Sequence, residues 1–247
     1  GGGPGVLGSL AEVSIEALKV AWYHKFGLTL HIRPEVFAQR ITLAYNNVQL
    51  NNEVPKLSTI KTLAGIGQDI LDLVNTENIS NGGEDLSGNN FYLNVLYNEG
   101  SPTHPSFPAG HAVVAGACAT VLKAMCKTHD GSGNKLLWVA DGRTAKIASN
   151  DGDSLLDYSA GDASSMTIVG EFNKLASNIS LGRDFAGVHY RCDGDGGMKV
   201  GENIAIDFIQ QKIQKYGLYK AGMYDGVRLE KFDGTTIIIN GDSITTV

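Results

Sequence analysis

The stretch SPTHPSFPAGHAVVAGACATVLKAMC, residues 101–126, decides how this chain is read. Its first half is punctuated by Pro102, Pro105 and Pro108 and carries His104 and His111. Proline fixes φ and removes a backbone donor, so this half is loop. The second half, AVVAGACATVLKAMC, has no polar face and predicts a buried helix. Gly110 and His111 open that helix. The first N–H groups of a helix lack partners within it and favour an anion, and a glycine there lets the backbone approach a ligand.

The rest of the chain bounds what such a site can serve. With 247 residues and a formal net charge of -6, it is one large domain or two small ones. Hydrophobic content of 43% against 19% charged describes an ordinary globular core. The 31 glycines stand well above the usual share of about 7% and imply much loop and turn. The acidic balance argues against a nucleic-acid partner, and no apolar run is long enough for a membrane span. The start, GGGPGVLGSL, has no basic leader-like region and reads as an internal beginning. Cys118, Cys126 and Cys192 form neither a zinc spacing nor a disulfide framework.

Periodicity predicts a helix over 9–28, with Ser9 as N-cap and a stripe through Leu10, Val13, Ala17, Leu18, Ala21 and Trp22. Pro34 is expected to end helical structure near Arg33. A weaker helix is read over 59–75 and a polar loop over 78–90. Residues 133–149 suggest a strand pair, and 162–183 a helix capped by Asp162. A strong helix over 197–217 is expected to stop at Gly217, and a hairpin to turn at Asp233-Gly234. DGDSLLD (151–157) and DGDGG (193–197) read as turns. The chain is therefore expected to be mainly α, with small β-hairpins including one near the C-terminus.

Three groups of residues could do chemistry: Lys25 with Arg33, Gly110 with His111, and Arg183 with His189 and Asp193. On a continuous helix Lys25 and Arg33 would lie about 80° and ~12 Å apart, close enough for long side chains to converge on one small anion. Arg183 and His189 would point apart on a helix, but Gly182 and Gly187 suggest a turn that brings both to one site. Arginine supplies paired planar donors and lysine a point charge, which suits a compact oxyanion. A neutral imidazole can attack phosphorus or bind a metal, and a second can move a proton. Asp193 is the residue that could fix a histidine tautomer.

The motifs K-x7-R-P, P-x-G-H and R-x5-H-x3-D, in this order, resemble those of the vanadium-dependent haloperoxidases, which share a site architecture with the type-2 phosphatidic acid phosphatases. HPSFPAGHA is similar to the algal and cyanobacterial bromoperoxidase branch. The resemblance implies a helical bundle and a vanadate cofactor bound axially through His189. Lys25, Arg33, Arg183 and the Gly110 N–H would hold equatorial oxygens. His111 would act on the apical oxygen as acid–base, His104 would tune halide oxidation, Lys25 would polarise bound peroxide, and Asp193 would support His189. The implied reaction uses hydrogen peroxide to oxidise bromide (and iodide) to hypohalous acid, which halogenates small organic acceptors. A structural calcium ion, found in relatives, has no clean loop here. An oxidant-producing activity suits an extracellular, cell-wall or periplasmic setting better than the cytoplasm, although no sequence signal fixes it.

Two departures from the family pattern matter. Ala109 stands where the family has serine, so one hydroxyl toward the oxyanion is missing. The family's bromoperoxidases are also much longer. Residues 1–247 read as a single catalytic, C-terminal half, with the N-terminal half absent or supplied by another chain, and a homo-oligomer is expected. Two other functions fit the same residues: a phosphatase with His189 as nucleophile, and a non-catalytic structural or anion-binding subunit.

Overall fold

The first helix, α1 (Gly2–Tyr23), begins seven residues before the expected Ser9 cap. Its inward stripe extends backward through half-buried Leu10 and Val6 from the fully buried Val13, Ala17 and Ala21, and Pro4 is tolerated in the first turn. This is a computed structural model, which describes residues 2–46, 48, 67–82, 89–216 and 226–247. α1 passes into a π-helical turn, His24–Thr29, closed by Leu30 in the left-handed region at φ 45°. The chain then extends through 31–33, and Pro34 takes the first position of α2 (Pro34–Tyr45). Proline thus starts a helix here instead of ending one, because the first helical residue needs no N–H partner.

Helix α3 (Gln68–Ser80) is the weaker predicted helix, displaced toward the C-terminus; the expected residues 59–66 lie outside the described residues. The polar loop therefore begins after Ser80, and its residues 83–88 also lie outside them. Helix α4 (Gly110–Met125) forms as read, with Ala109 at the N-cap in extended conformation and no side-chain cap bond.

The expected strand pair within 133–149 is not formed there. That segment carries a 3-10 turn, Ala140–Gly142, and isolated bridges His129–Lys135 and Leu137–Thr167. The pair lies later, β1 (Lys146–Ala148) against β2 (Leu155–Asp157), antiparallel with Ile147 opposite Leu156. Asp151 shapes the turn by accepting the Asp153 N–H at 3.1 Å, so DGDSLLD is part turn and part strand.

Helix α5 (Ile168–Phe185) is capped by Thr167, whose hydroxyl accepts the Gly170 N–H at 3.0 Å. Asp162, the expected cap, instead accepts the Tyr158 hydroxyl at 2.6 Å. Helix α6 (Arg191–Tyr216) starts earlier than predicted and absorbs DGDGG, which is not a turn. Glycine is a poor helix former, but packing requires it here. A Cβ at Gly201 would lie 2.0 Å from the Val113 carbonyl, and one at Gly116 on α4 would lie 2.5 Å from the Met198 carbonyl. The predicted stop, Gly217, lies outside the described residues.

The C-terminal hairpin forms as read, β3 (Val227–Glu230) with β4 (Thr236–Ile239), and an unforeseen β5 (Ile244–Thr246) pairs with β4. Central α4 packs against α1, α5 and α6. Val113, Ala117 and Val121 meet Val13 and Ala17 of α1, Ala205 and Ile209 of α6, and Leu229 and Ile239 of the sheet. The fold is thus mainly helical with small antiparallel sheets, and no described helix is long and apolar enough to cross a membrane.

Candidate active site

The bundle brings four chain segments to the N-terminal end of α4. The π-helical turn after α1 supplies Lys25, the loop before α4 supplies His104, the last turn of α5 supplies Arg183, and the residues just before α6 supply His189. With Gly110, His111, Trp22 and Leu18 they line a cavity of about 450 Å³. Arg183 and His189 converge because Gly187, at φ 73°, reverses the chain between them. A Cβ there would lie 2.7 Å from the Asn94 carbonyl, so glycine is required. Gly182, by contrast, stays inside α5.

Lys25 and Arg33 converge, but not along one helix. Lys25 is 2% exposed and donates to the carbonyls of Pro105 at 2.5 Å and Ser106 at 3.0 Å. Arg33 lies behind the cavity wall and ties it together. Its Nε donates to the His104 carbonyl at 2.9 Å and one terminal nitrogen to the His104 ring at 3.0 Å. The other donates to the Val188 carbonyl at 2.8 Å and to His189 Nε2 at 3.0 Å.

These bonds assign the His189 tautomer. A guanidinium only donates, so His189 Nε2 is an acceptor and the ring proton sits on Nδ1. Nδ1 lies 3.1 Å from Asp193 Oδ2, and donates to it. Asp193 is fully buried behind His189 and also takes the Tyr190 N–H at 3.0 Å; it does not line the cavity. His104 Nδ1 lies between an Arg33 terminal nitrogen at 3.0 Å, which donates, and the Pro105 carbonyl at 3.2 Å, which accepts, so these contacts are compatible with either neutral tautomer.

Burial pushes His189 down to about 4, with Arg33 and Lys25 adding to the effect, so its ring is neutral. Burial likewise lowers Lys25 to about 8 and Arg33 to about 10, and each is lowered further by the neighbouring cations. His104 and His111 are also held below the usual histidine value, first by burial and then by these cations. Burial opposes the charge of Asp193, but its bonds from His189 and Tyr190 keep it below the ordinary carboxylate range.

Lys25, Arg33 and Arg183 form no ion pair among the described residues. Arg183 is held by Tyr97, which accepts at 2.9 Å and places its ring 5.6 Å from the guanidinium, while the buried Arg183 Nε has no partner. An uncompensated cationic wall, an orphaned donor, a helix N-terminus and an imidazole lone pair together fit a small tetrahedral or trigonal-bipyramidal oxyanion. Among the described residues, no group of three or more His, Cys, Asp or Glu could hold a metal ion by itself.

The sequence reading missed Trp22, Tyr97, His31 and Ser106. Trp22 stacks on Phe26 and stands 5.0 Å from the His104 ring. Its helical stripe position marked it as core, yet it is 41% exposed at the cavity rim. Tyr97 lies outside every motif, so no spacing signal could have found it.

The chain is similar to known proteins. Residues 76–216, more than half of the chain, match the family model described as the VCPO second helical-bundle domain. A vanadium-dependent bromoperoxidase of Corallina pilulifera is 35% identical over 95% of this chain and 36% of its own length. One from Ascophyllum nodosum is 30% identical over 91% of this chain and 38% of its own. The chain therefore spans little more than a third of these relatives. The homohexameric structure of the second vanadate-dependent bromoperoxidase from Ascophyllum nodosum superposes with a TM-score of 0.74 and 27% identity, covering 98% of this chain and 41% of that one. With the helices, the cationic cavity and these matches in agreement, the chain belongs to the vanadium haloperoxidase family, in its second helical-bundle domain.

Proposed function

We propose that this chain is the cofactor-bearing, catalytic part of a vanadate-dependent bromoperoxidase. It oxidises bromide, and iodide, with hydrogen peroxide to hypohalous acid, which then halogenates small organic acceptors. The observation that carries this reading is the neutral His189 imidazole, its unprotonated Nε2 held by Arg33, among three cations that form no ion pair among the described residues. Vanadate fits that set as a small oxyanion, which would replace Arg33 at Nε2. His189 would hold the metal, and Lys25, Arg33, Arg183 and the Gly110 N–H its oxygens.

Bound vanadate supplies a Lewis acid that activates peroxide without changing oxidation state. The chain's own residues prepare the site for it. Asp193 keeps the proton on His189 Nδ1, so that Nε2 remains a ligand. Lys25, fixed on two carbonyls, aims its remaining N–H into the cavity and stabilises charge developing on the oxygens. His111, kept neutral at the N-terminus of α4, takes and returns a proton at the cavity mouth. His104 presents its ring beside Trp22, where a halide would approach.

The exposed apolar residues on α1 and the π-helical turn after it, including Leu18, Trp22 and Phe26, fit a face completed by further helices, from a longer chain or a second one. The homohexameric Ascophyllum relative supports assembly of identical chains. No position is proposed for a structural calcium ion.

The test supplies orthovanadate, bromide, hydrogen peroxide and a phenolic dye. Bromination that requires vanadate and falls by more than about 100-fold in His189→Ala, a larger loss than a supporting residue gives, is the expected result. Phosphate-ester hydrolysis inhibited by vanadate, without bromination, would instead establish the phosphatase. Vanadate binding without turnover of either kind would leave an anion-binding subunit.

A further inference from the structure

The carboxylate behind His189 serves two histidines. Asp193 Oδ2 is occupied by His189 Nδ1 and the Tyr190 N–H. Its other oxygen, Oδ1, faces His31 Nδ1 at 3.5 Å, with Cys192 Sγ farther off at 4.0 Å. His31 comes from the extended link between the π-helical turn and α2, two residues before Arg33. It is anchored on three sides. The Ser106 N–H donates to its carbonyl at 2.8 Å, its Nδ1 lies 3.0 Å from Ser106 Oγ, and its ring packs against Tyr190 at 5.2 Å. Ser106 Oγ donates its own proton to the Ile32 carbonyl at 3.1 Å, so at His31 it accepts, and His31 carries a proton on Nδ1.

We infer that His31 is a positioning residue for His189, acting through Asp193. The His31 Nδ1–H, bonded to Ser106 Oγ at 3.0 Å and 3.5 Å from Asp193 Oδ1, restrains the rotation of the carboxylate. That restraint keeps Oδ2 on the His189 Nδ1–H and so supports the tautomer in which Nε2 accepts from Arg33. Without His31, Asp193 Oδ1 is a fully buried acceptor with only a weak thiol beside it. The carboxylate is then freer to turn, and the His189 tautomer loses part of its support, keeping the Arg33 bond to Nε2. Ser106 is the second arm of the same clamp, joining His31 to the loop that carries His104 and Lys25's carbonyl acceptors. The His31 side chain is 45% exposed, so replacing it removes little packing, and its effect is expected on the site and not on folding.

This inference rests on the proposed role of His189 Nε2, and the experiment separates the two. Histidine labelled with 15N reports the His189 tautomer by NMR in the protein without added anion, and a vanadate titration reports affinity. In His31→Phe we expect the Nδ1–H signal of His189 to shift toward the mixed-tautomer position and vanadate affinity to fall about tenfold, the scale of lost support behind a ligand. His31→Asn places an amide N–H near the Nδ1 position; it is expected to restore the His189 signal and bring affinity within about twofold of the parent. A His31→Phe protein with an unchanged His189 signal overturns the inference. So does a His31→Asn protein as impaired as His31→Phe, which would mark a purely structural contact. If the parent binds no vanadate, the proposed function fails while the tautomer readout still decides the role of His31.

Discussion

Two lysines are buried among the described residues, and their surroundings differ in kind. Lys25 is 2% exposed and Lys123 is 1% exposed, and burial lowers both to about 8. Lys123, on α4, meets Glu202 at 3.7 Å and donates to the Glu230 carbonyl at 2.8 Å and the Asn173 side chain at 3.1 Å. Its ammonium also stands 4.2 Å from the Phe232 ring. Its charge is matched, and Glu202 in turn accepts the Phe232 N–H at 2.7 Å, which fastens the C-terminal sheet to the bundle. Lys25 has carbonyl acceptors but no ion-paired carboxylate, and the repulsion of Arg33 and Arg183 is only partly offset by the more distant Asp193. A compensated buried charge holds structure together. An uncompensated one at a cavity is held in readiness for a ligand that brings the missing charge.

If that contrast is right, the same substitution has opposite consequences at the two positions. Lys123→Met leaves Glu202 buried and unpaired, and should cost about 3–5 kcal/mol in urea unfolding while leaving vanadate affinity unchanged. Lys25→Met removes a charge-assisted bond to the anion, worth about 1.5–3 kcal/mol, or roughly 10- to 100-fold in affinity. It should destabilise the protein without anion less than Lys123→Met does, because relief of repulsion from Arg33 and Arg183 offsets the two carbonyl bonds it gives up. Equal stability losses in the two variants would erase the distinction.

Titration gives a finer discrimination. Both lysines hold fewer protons in the folded than in the unfolded state between about 8 and the ordinary lysine value of 10.5. Stability of the anion-free protein should therefore rise with pH across that window, and Lys25→Met should shrink the rise. Anion affinity should move the other way, falling as pH rises through about 8, where Lys25 loses its charge. Lys25→Arg, compared with the parent at each pH so that the anion's own titration cancels, should extend binding upward. His189, neutral above about 4, sets the lower limit.

The smallest expected effect concerns Ala109. It is fully buried, its N–H donates to the Asp193 carbonyl at 3.0 Å, and α4 lacks a side-chain cap. Ala109→Ser offers a hydroxyl either to the helix or to the oxyanion. Capping would raise stability by about 0.5–2 kcal/mol with affinity unchanged. An oxyanion bond would instead tighten vanadate by about 0.5–1.5 kcal/mol with little change in melting temperature.

Sequence alone was sufficient for the elements that rest on local chemistry. The apolar run of α4, the Asp233-Gly234 turn and the three motifs bearing Lys25, His111 and His189 were all legible, because periodicity, turn residues and charge spacing are written locally. It misread elements whose reasons lie elsewhere in the chain. DGDGG looks like a turn until its glycines are seen packed closely in the bundle, where a Cβ at Gly194 would lie 2.2 Å from Ser180 Oγ and one at Gly197 3.0 Å from the Ala109 carbonyl. Pro34 looks like a stop until the π-helical turn has already ended α1. The site divides in the same way. The cations and histidines could be named from their order. Their lack of ion-pair partners among the described residues, the Arg33 bond that fixes the His189 tautomer, and the placing of Asp193 between His189 and His31 exist only once four distant segments meet. Tertiary packing decided those features because hydrogen-bond direction and desolvation depend on neighbours that sequence spacing does not specify.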